Sequence, residues 1–292
     1  MSRPIKTGFV GLGNIGKPMA LRLSASDAVD LQVFDVAPEP VAELVAAGAK
    51  EATSIAQLAN AVDVICVMVR DDAQVRDVLE QAMSELRPRN DMLPVQFVVH
   101  STISPETPAA LREIIAKTCG FAFQVVDAPV SGGPMGAADG SLAIMVGADE
   151  WSFERIQPVL AVMGSKVIHA GDVGAGTKFK LARNLLHFAS FTAATEAQRL
   201  AEAAGLDLAA LGDVVRHTDK ITGGPGAIMY RTTTAPIPDD DFWFGVFSHV
   251  RALGEKDLRH AIELAEQLDV EVPFARLALD RLGPGLGLPE ES

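Results

Sequence analysis

The sequence predicts an α/β Rossmann-like N-terminal domain followed by an all-α C-terminal domain, joined by a long interdomain helix. Three observations predict this. Short β-rich runs alternate with helical stretches as far as about residue 169. A glycine fingerprint, Gly11-Leu12-Gly13-Asn14-Ile15-Gly16, stands between the first such strand and the first helix. From Gly174 to about Gly205 nothing interrupts an alanine-rich helical pattern, and no convincing strand follows it. The expected domains are residues 1–169 and 170–292. A chain of 292 residues, 48% of them hydrophobic, is long enough to give each its own core.

The elements follow in order. Lys6–Val10 reads as a strand, and Ile15–Ser24 as a helix with Met19, Ala20 and Leu23 at helical spacing. Leu31–Asp35 is the second strand, and Glu39–Ala47 is a helix closed by Gly48. Val62–Val69, Val95–Val99 and Phe121–Val126 are further strands, with helices over Asp72–Ser84 and Glu106–Lys117 between them. Strict alternation implies right-handed crossovers and a mainly parallel sheet. Leu142–Val146 and Lys166–His169 extend it, with a helix over Trp151–Met163. Beyond the long helix, Leu208–His217 and Arg251–Leu268 read as helices, and Val272 onward continues as helix. Thr222–Asp241 carries glycines, prolines and the acidic run Asp239-Asp240-Asp241, which predicts a surface loop or short helices. The tail from Gly283 to Pro289 is expected to fray.

The fingerprint follows a strand and opens a helix, which is the context a dinucleotide site requires. Gly11 permits the tight turn, Gly13 lets the backbone approach a pyrophosphate, and Gly16 lets helix and strand pack closely. The helix N-terminus supplies free N–H groups for the phosphates. An acidic residue is expected about 20 residues on, at the end of the second strand, to bind the ribose 2′-hydroxyl. Asp35 stands there. Its charge would repel a 2′-phosphate, and Val36, Ala37 and Pro38 offer no arginine to hold one, so NAD is expected in preference to NADP. The alternative is a glycine-rich turn without a ligand.

Two further motifs carry chemistry. Asp127-Ala-Pro-Val-Ser131-Gly132-Gly133-Pro-Met-Gly136 is a glycine-rich run after a strand. Ser131-Gly132-Gly133 can turn several backbone N–H groups towards one anion, for which a carboxylate is the natural guest. A plain loop is the competing reading. Gly174-Ala-Gly-Thr-Lys-Phe-Lys180-Leu-Ala-Arg-Asn184 opens the long helix. Lys180 and Asn184 lie four residues apart, on one face. Interconverting an alcohol and a carbonyl needs a proton shuttle on the oxygen, which a lysine of lowered pKa provides. Lys178 competes for the role but faces elsewhere on the helix.

Composition narrows the partners. A net charge of −13 speaks against nucleic acid or an anionic membrane, though not against a small anionic substrate. No apolar run reaches transmembrane length. Cys66 lies in an apolar strand and is expected to be a buried reduced thiol, and Cys66 and Cys119 alone cannot build a structural zinc site. No metal site is expected. No signal peptide precedes the first strand, and a cytoplasmic protein is expected.

The chain resembles the β-hydroxyacid dehydrogenase family, which includes 3-hydroxyisobutyrate dehydrogenase and tartronate semialdehyde reductase. The resemblance covers nearly the whole chain and rests on Val10–Ala20, Ser101-Thr102, Asp127–Ala137, Gly174–Asn184 and Lys256-Asp257-Leu258. It implies that Lys180 is the catalytic acid/base and Asn184 its helix partner. Ser131, Gly132 and Gly133 would hold the substrate carboxylate. Gly11 to Gly16 with Asp35 would bind NAD, Val69 and Arg70 would border its ribose and pyrophosphate, and Thr102 and Lys256 would lie at its nicotinamide end. The activity implied is NAD-dependent interconversion of a small 3-hydroxy acid and its semialdehyde or keto acid. The family also implies a homodimer or homotetramer. The chain departs from the family at His100, often acidic, at Arg70, often proline, and at His249, often phenylalanine. An imine reductase is an alternative within the resemblance, but its relatives usually replace the lysine. A decarboxylating dehydrogenase would need a phosphate pocket of which the C-terminal part gives no sign. A non-catalytic dinucleotide-binding protein is the remaining alternative, opposed by the retention of Lys180, Asn184 and Ser131.

Overall fold

The computed structural model describes residues 3–87, 93–231 and 233–289. The chain forms two compact units, Met1–Arg183 and Asn184–Ser292.

The first unit begins with β1 (Ile5–Val10), α1 (Gly16–Ser24), β2 (Val29–Phe34), α2 (Pro38–Ala46), β3 (Lys50–Glu51) and α3 (Ile55–Ala61). It continues through β4 (Val64–Val67), α4 (Asp72–Met83), β5 (Val95–Val99), α5 (Thr107–Thr118) and β6 (Phe123–Asp127). Then come β7 (Val130–Ser131), α6 (Gly133–Asp139), β8 (Ala143–Gly147), α7 (Glu150–Met163) and β9 (Lys166–Gly171). The long α8 (Ala175–Ala203) starts in this unit and continues into the second.

Strands β3-β2-β1-β4-β5-β6 form a parallel sheet in that order, the doubly wound arrangement. β4 and β5 are buried along their whole length, as interior parallel strands covered on both faces must be. One apolar cluster under α1 and α7 includes Phe9, Met19, Leu23, Ile144 and Leu160. Another under α3, α4 and α5 includes Leu58, Ile65, Leu79, Phe97 and Leu111. Cys66 lies in the first of these, and burial pushes its thiol up to about 12. In this unit side-chain oxygens cap α3, α4 and α7: Ser54 accepts from the N–H of Gln57, Asp71 from Gln74 and Asp149 from Ser152.

Past β6 the sheet departs from simple alternation. β8 runs antiparallel to β6 and to β7, and parallel to β9. Ser131–Gly133 is therefore the end of a two-residue strand and the start of α6, not a plain loop. Pro134 in the first turn of α6 suits its missing N–H.

The second unit holds α9 (Leu208–Thr222), a 3₁₀ segment (Gly224–Tyr230), α10 (Phe242–Gln267) and α11 (Pro273–Gly285). No strand occurs in it among the described residues. α10 starts nine residues before the expected Arg251, where Asp241 caps it by accepting from the N–H of Trp243. The tail does not fray. Leu286 and Leu288 are buried with Ile237 and Phe247, and the N–H of Ile237 donates to the carbonyl of Gly287 at 2.8 Å. Arg251 Nη1 also donates to the carbonyl of Pro289 at 2.9 Å. Apolar side chains spaced by chain turns, rather than local pattern, tie this segment down.

Glu196 of α8 is buried and caps α11, accepting from the N–H of Phe274 at 2.7 Å and of Ala275 at 3.0 Å. Glu196→Ala leaves both half-buried donors without this acceptor and is expected to lower unfolding stability by about 1–3 kcal/mol. Urea titration of the variant against the parent measures this. No helix among the described residues is long and apolar enough to cross a membrane.

Candidate active site

The fingerprint forms the β1–α1 turn, beside the point where strand order reverses between β1 and β4. A Cβ added at Gly16 would lie 2.0 Å from the carbonyl oxygen of Gly11, so the turn closes only around a glycine. At Gly13 an added Cβ meets no heavy atom of the described residues within 4 Å. The backbone is thus open at the position expected to approach a pyrophosphate and tight at the one expected to pack.

A cavity of about 590 Å³ opens on this turn. Gly11, Gly13, Asn14, Ile15, Gly16, Asp35, Val69 and Arg70 line it, which brings together most of the expected cofactor residues. Gln74, Asp77 and Gln81 of α4 line it too and were not singled out from sequence, because exposed polar residues on a helix carry no local signal. Leu12 does not line it. Its side chain is buried in the core, and its N–H donates to Asp35 Oδ2 at 2.5 Å. Asp35 Oδ1 accepts from the N–H of Ala37 at 2.8 Å. The carboxylate is therefore held at the mouth of the turn with lone pairs to spare. The Arg70 guanidinium pairs with Asp71 at 3.0 Å. These features fit a dinucleotide: a glycine turn open at one backbone position, a helix start, and a fixed carboxylate at the end of β2.

Behind the turn, Ser101 at the end of β5 bridges to β4. Its hydroxyl accepts from the N–H of Val69 at 2.9 Å and donates to the carbonyl of Val69 at 2.7 Å. Thr102 follows, exposed. His100 is buried, stacks on Phe9, and bonds through Nδ1 to the carbonyl of Ala128 at 2.8 Å. A carbonyl only accepts, so Nδ1 carries the proton. Nε2 is buried without a partner among the described residues. A second proton there would be a desolvated, unpaired donor, and burial lowers the His100 pKa to about 4.

The unfolded chain takes up that proton near pH 6.5 while the fold does not, so stability falls as pH drops from about 6.5 towards 4. The loss on full titration is on the order of 3 kcal/mol. Nuclear magnetic resonance of the imidazole at pH 5.5 is expected to show the neutral Nδ1–H form, and an imidazolium would contradict this.

Lys180 stands in the second turn of α8, buried with 7% of its surface exposed. Its Nζ donates to the carbonyl of Val130 at 2.6 Å. Val130 immediately precedes Ser131, which is half-buried, and Gly132 and Gly133, which are exposed. The lysine and the expected carboxylate-binding run thus meet at one place although 47 or more residues separate them. Burial, and after it the charge of Arg183, hold the Lys180 amine below the usual lysine range. Lys178 is exposed. Asn184 opens the second unit, half-buried, four residues further along α8. Lys256 lies in the second unit on α10 and pairs with Asp257 at 3.1 Å. His249 is exposed on α10.

Comparison with known proteins defines the class. Residues 6–171 match the NAD binding domain of 6-phosphogluconate dehydrogenase. Residues 174–282 match the NAD-binding domain of NADP-dependent 3-hydroxyisobutyrate dehydrogenase. An uncharacterized oxidoreductase of Mycobacterium tuberculosis (strain H37Rv) is 48% identical over 97% of this chain and 94% of its own. The 2-(hydroxymethyl)glutarate dehydrogenase of Eubacterium barkeri is 33% identical over 100% of this chain and 93% of its own. The crystal structure of an oxidoreductase from Mycobacterium avium 104 superposes with a TM-score of 0.91 at 47% identity, covering 98% of this chain and 100% of that one. The protein is an oxidoreductase with an NAD(P)-binding Rossmann domain and a mostly helical C-terminal region. The chain belongs to the β-hydroxyacid dehydrogenase family.

Proposed function

We propose that the protein is a cytoplasmic, NAD-dependent dehydrogenase that interconverts a small 3-hydroxy acid and its semialdehyde or keto acid, with Lys180 as acid/base. The observation that carries this reading is the buried Lys180 amine, held by Val130 next to Ser131-Gly132-Gly133. When bound, the nicotinamide supplies the hydride acceptor or donor. Lys180, its pKa lowered by burial, takes the proton from the substrate hydroxyl in oxidation and returns it in reduction. The Ser131 hydroxyl and the N–H groups of Gly132 and Gly133 bind the carboxylate, which fixes the carbon presented for reaction. Asn184 holds the lysine or the substrate by hydrogen bonds. Thr102 and Lys256 serve the nicotinamide end of the cofactor. The 2-(hydroxymethyl)glutarate enzyme among the relatives supports the substrate class, since its name describes a carboxylic acid with a hydroxymethyl group.

Asp35 accepts from the ribose hydroxyl and repels a 2′-phosphate, which favours NAD over NADP. Arg70, an arginine at the cavity, is already engaged by Asp71 and so does not offset this. The test is NADH formation at alkaline pH over 3-hydroxyisobutyrate, glycerate, serine, 3-hydroxypropionate and threonate, with NADP in parallel. Turnover of one acid with NAD supports the reading. Silence across the panel, in protein that binds NAD, overturns it.

The proposed assembly is a homodimer or homotetramer. On α8, Leu185, Phe188 and Phe191 are 74%, 59% and 54% exposed, an apolar stripe that a second copy of the chain would cover. Sedimentation equilibrium is expected to return at least twice the chain mass, and a monomer would contradict it.

A further inference from the structure

Asp127 ends β6, and its side chain is wholly buried. Oδ1 accepts from the N–H of Gly174 at 2.6 Å, and Oδ2 accepts from the N–H of Thr177 at 2.6 Å. Both donors belong to the start of α8, where N–H groups have no partner inside the helix and carry partial positive charge. One carboxylate from another strand satisfies two of them with charge-assisted bonds.

Lys180 follows Thr177 by three residues, and Val130, which holds its amine, follows Asp127 by three. The segment Asp127–Val130 therefore grips α8 twice: by a side chain at the first turn and by a carbonyl at the lysine. The packing around this grip leaves no slack. A Cβ at Gly176 would lie 2.2 Å from the carbonyl oxygen of Met145 and 2.7 Å from that of Asp127. A Cβ at Gly147 would lie 2.3 Å from Asp127 Oδ1. Backbone atoms cannot yield as side-chain tips do, so α8 has one seat on the sheet. Lysine itself is a flexible stem, and the position of its amine is only as well defined as the helix beneath it.

We propose that Asp127 is a positioning residue for Lys180: its carboxylate fixes the first turn of α8 against β6 and so sets where the amine meets the substrate oxygen. The inference rests on the reading of Lys180 as acid/base. It assigns no contact between Asp127 and substrate.

Asp127→Asn tests it. The amide keeps the volume and one acceptor but turns an NH₂ towards one of the two backbone donors. The variant is expected to bind NAD with the parent's stoichiometry and affinity. Its kcat falls about 100-fold, the scale of a misplacement near 1 Å. The solvent deuterium isotope effect on kcat rises, because proton transfer becomes the slow step. A purely structural role lowers only the folded fraction, which NAD-binding stoichiometry counts. If kcat per binding site and the isotope effect equal the parent's, the inference is overturned. Lys180→Ala assayed alongside separates the two claims. Parent-like turnover in Lys180→Ala sinks the lysine reading itself. An inactive Lys180→Ala beside a parent-like Asp127→Asn sinks the positioning role alone. Should Asp127→Asn not fold, Asp127→Ser decides. Its hydroxyl is smaller than the carboxylate and cannot reach both N–H donors, so the same fall in kcat with a raised isotope effect is expected, and parent values of both overturn the inference.

Discussion

Lys180→Ala lowers turnover of the hydroxy acid by about 10²–10⁴-fold, the usual contribution of a general acid/base, while NAD still binds. The amine is buried and donates to the Val130 carbonyl, and no carboxylate pairs with it among the described residues. A lysine with a structural duty would be expected to sit in an ion pair. This one sits below the usual lysine range beside a run of glycines. Removing it also trims a buried stem, so some loss of stability accompanies the change. NAD titration and thermal melting separate that loss from the loss of chemistry. A kcat within a few-fold of the parent would remove Lys180 from the mechanism.

Two glycines three positions apart answer differently to the same substitution. Gly13→Ala places a methyl in open space, so melting is expected to stay as in the parent. Its NAD affinity is expected to fall about 10–100-fold, because the methyl occupies the place where backbone and pyrophosphate meet. Gly16→Ala drives a methyl into the Gly11 carbonyl and is expected to lower both melting temperature and affinity. Isothermal titration with NAD and a thermal melt on each variant check the pair. Unchanged affinity in Gly13→Ala would mean that the cofactor does not approach the turn there.

Much of this architecture was legible in the sequence because it is locally encoded. β5 occupies Val95–Val99 as its apolar run predicts, and α8 runs almost from Gly174 to Gly205 as an uninterrupted helical pattern predicts. The fingerprint and Asp35 reach one cavity because β1 and β2 pair in register, Val10 opposite Phe34. What was not legible depends on partners distant in the chain. β3 and β7 are two-residue strands, too short for any period to show. The helix expected from Arg251 begins at Phe242, where Asp241 caps it and Phe247 packs on Leu286 and Leu288. The glycine–proline tail reads as frayed until Ile237 is seen to bind it. Asp127 was visible as a letter of a motif, but its two bonds cross 47 and 50 residues. His100 stands out as a departure from the family; its burial against Phe9 and Ala128 gives it a neutral, structural place.

Hydride transfer assisted by Lys180 is read from the fate of the substrate's own hydrogen. The hydroxy acid that the protein oxidises best is prepared with deuterium on its hydroxyl-bearing carbon, and the NADH formed is weighed by mass spectrometry. Singly deuterated NADH is expected from the parent protein and essentially none from Lys180→Ala that still binds NAD. Unlabelled NADH from the parent, or labelled NADH from Lys180→Ala at the parent's rate, would contradict it.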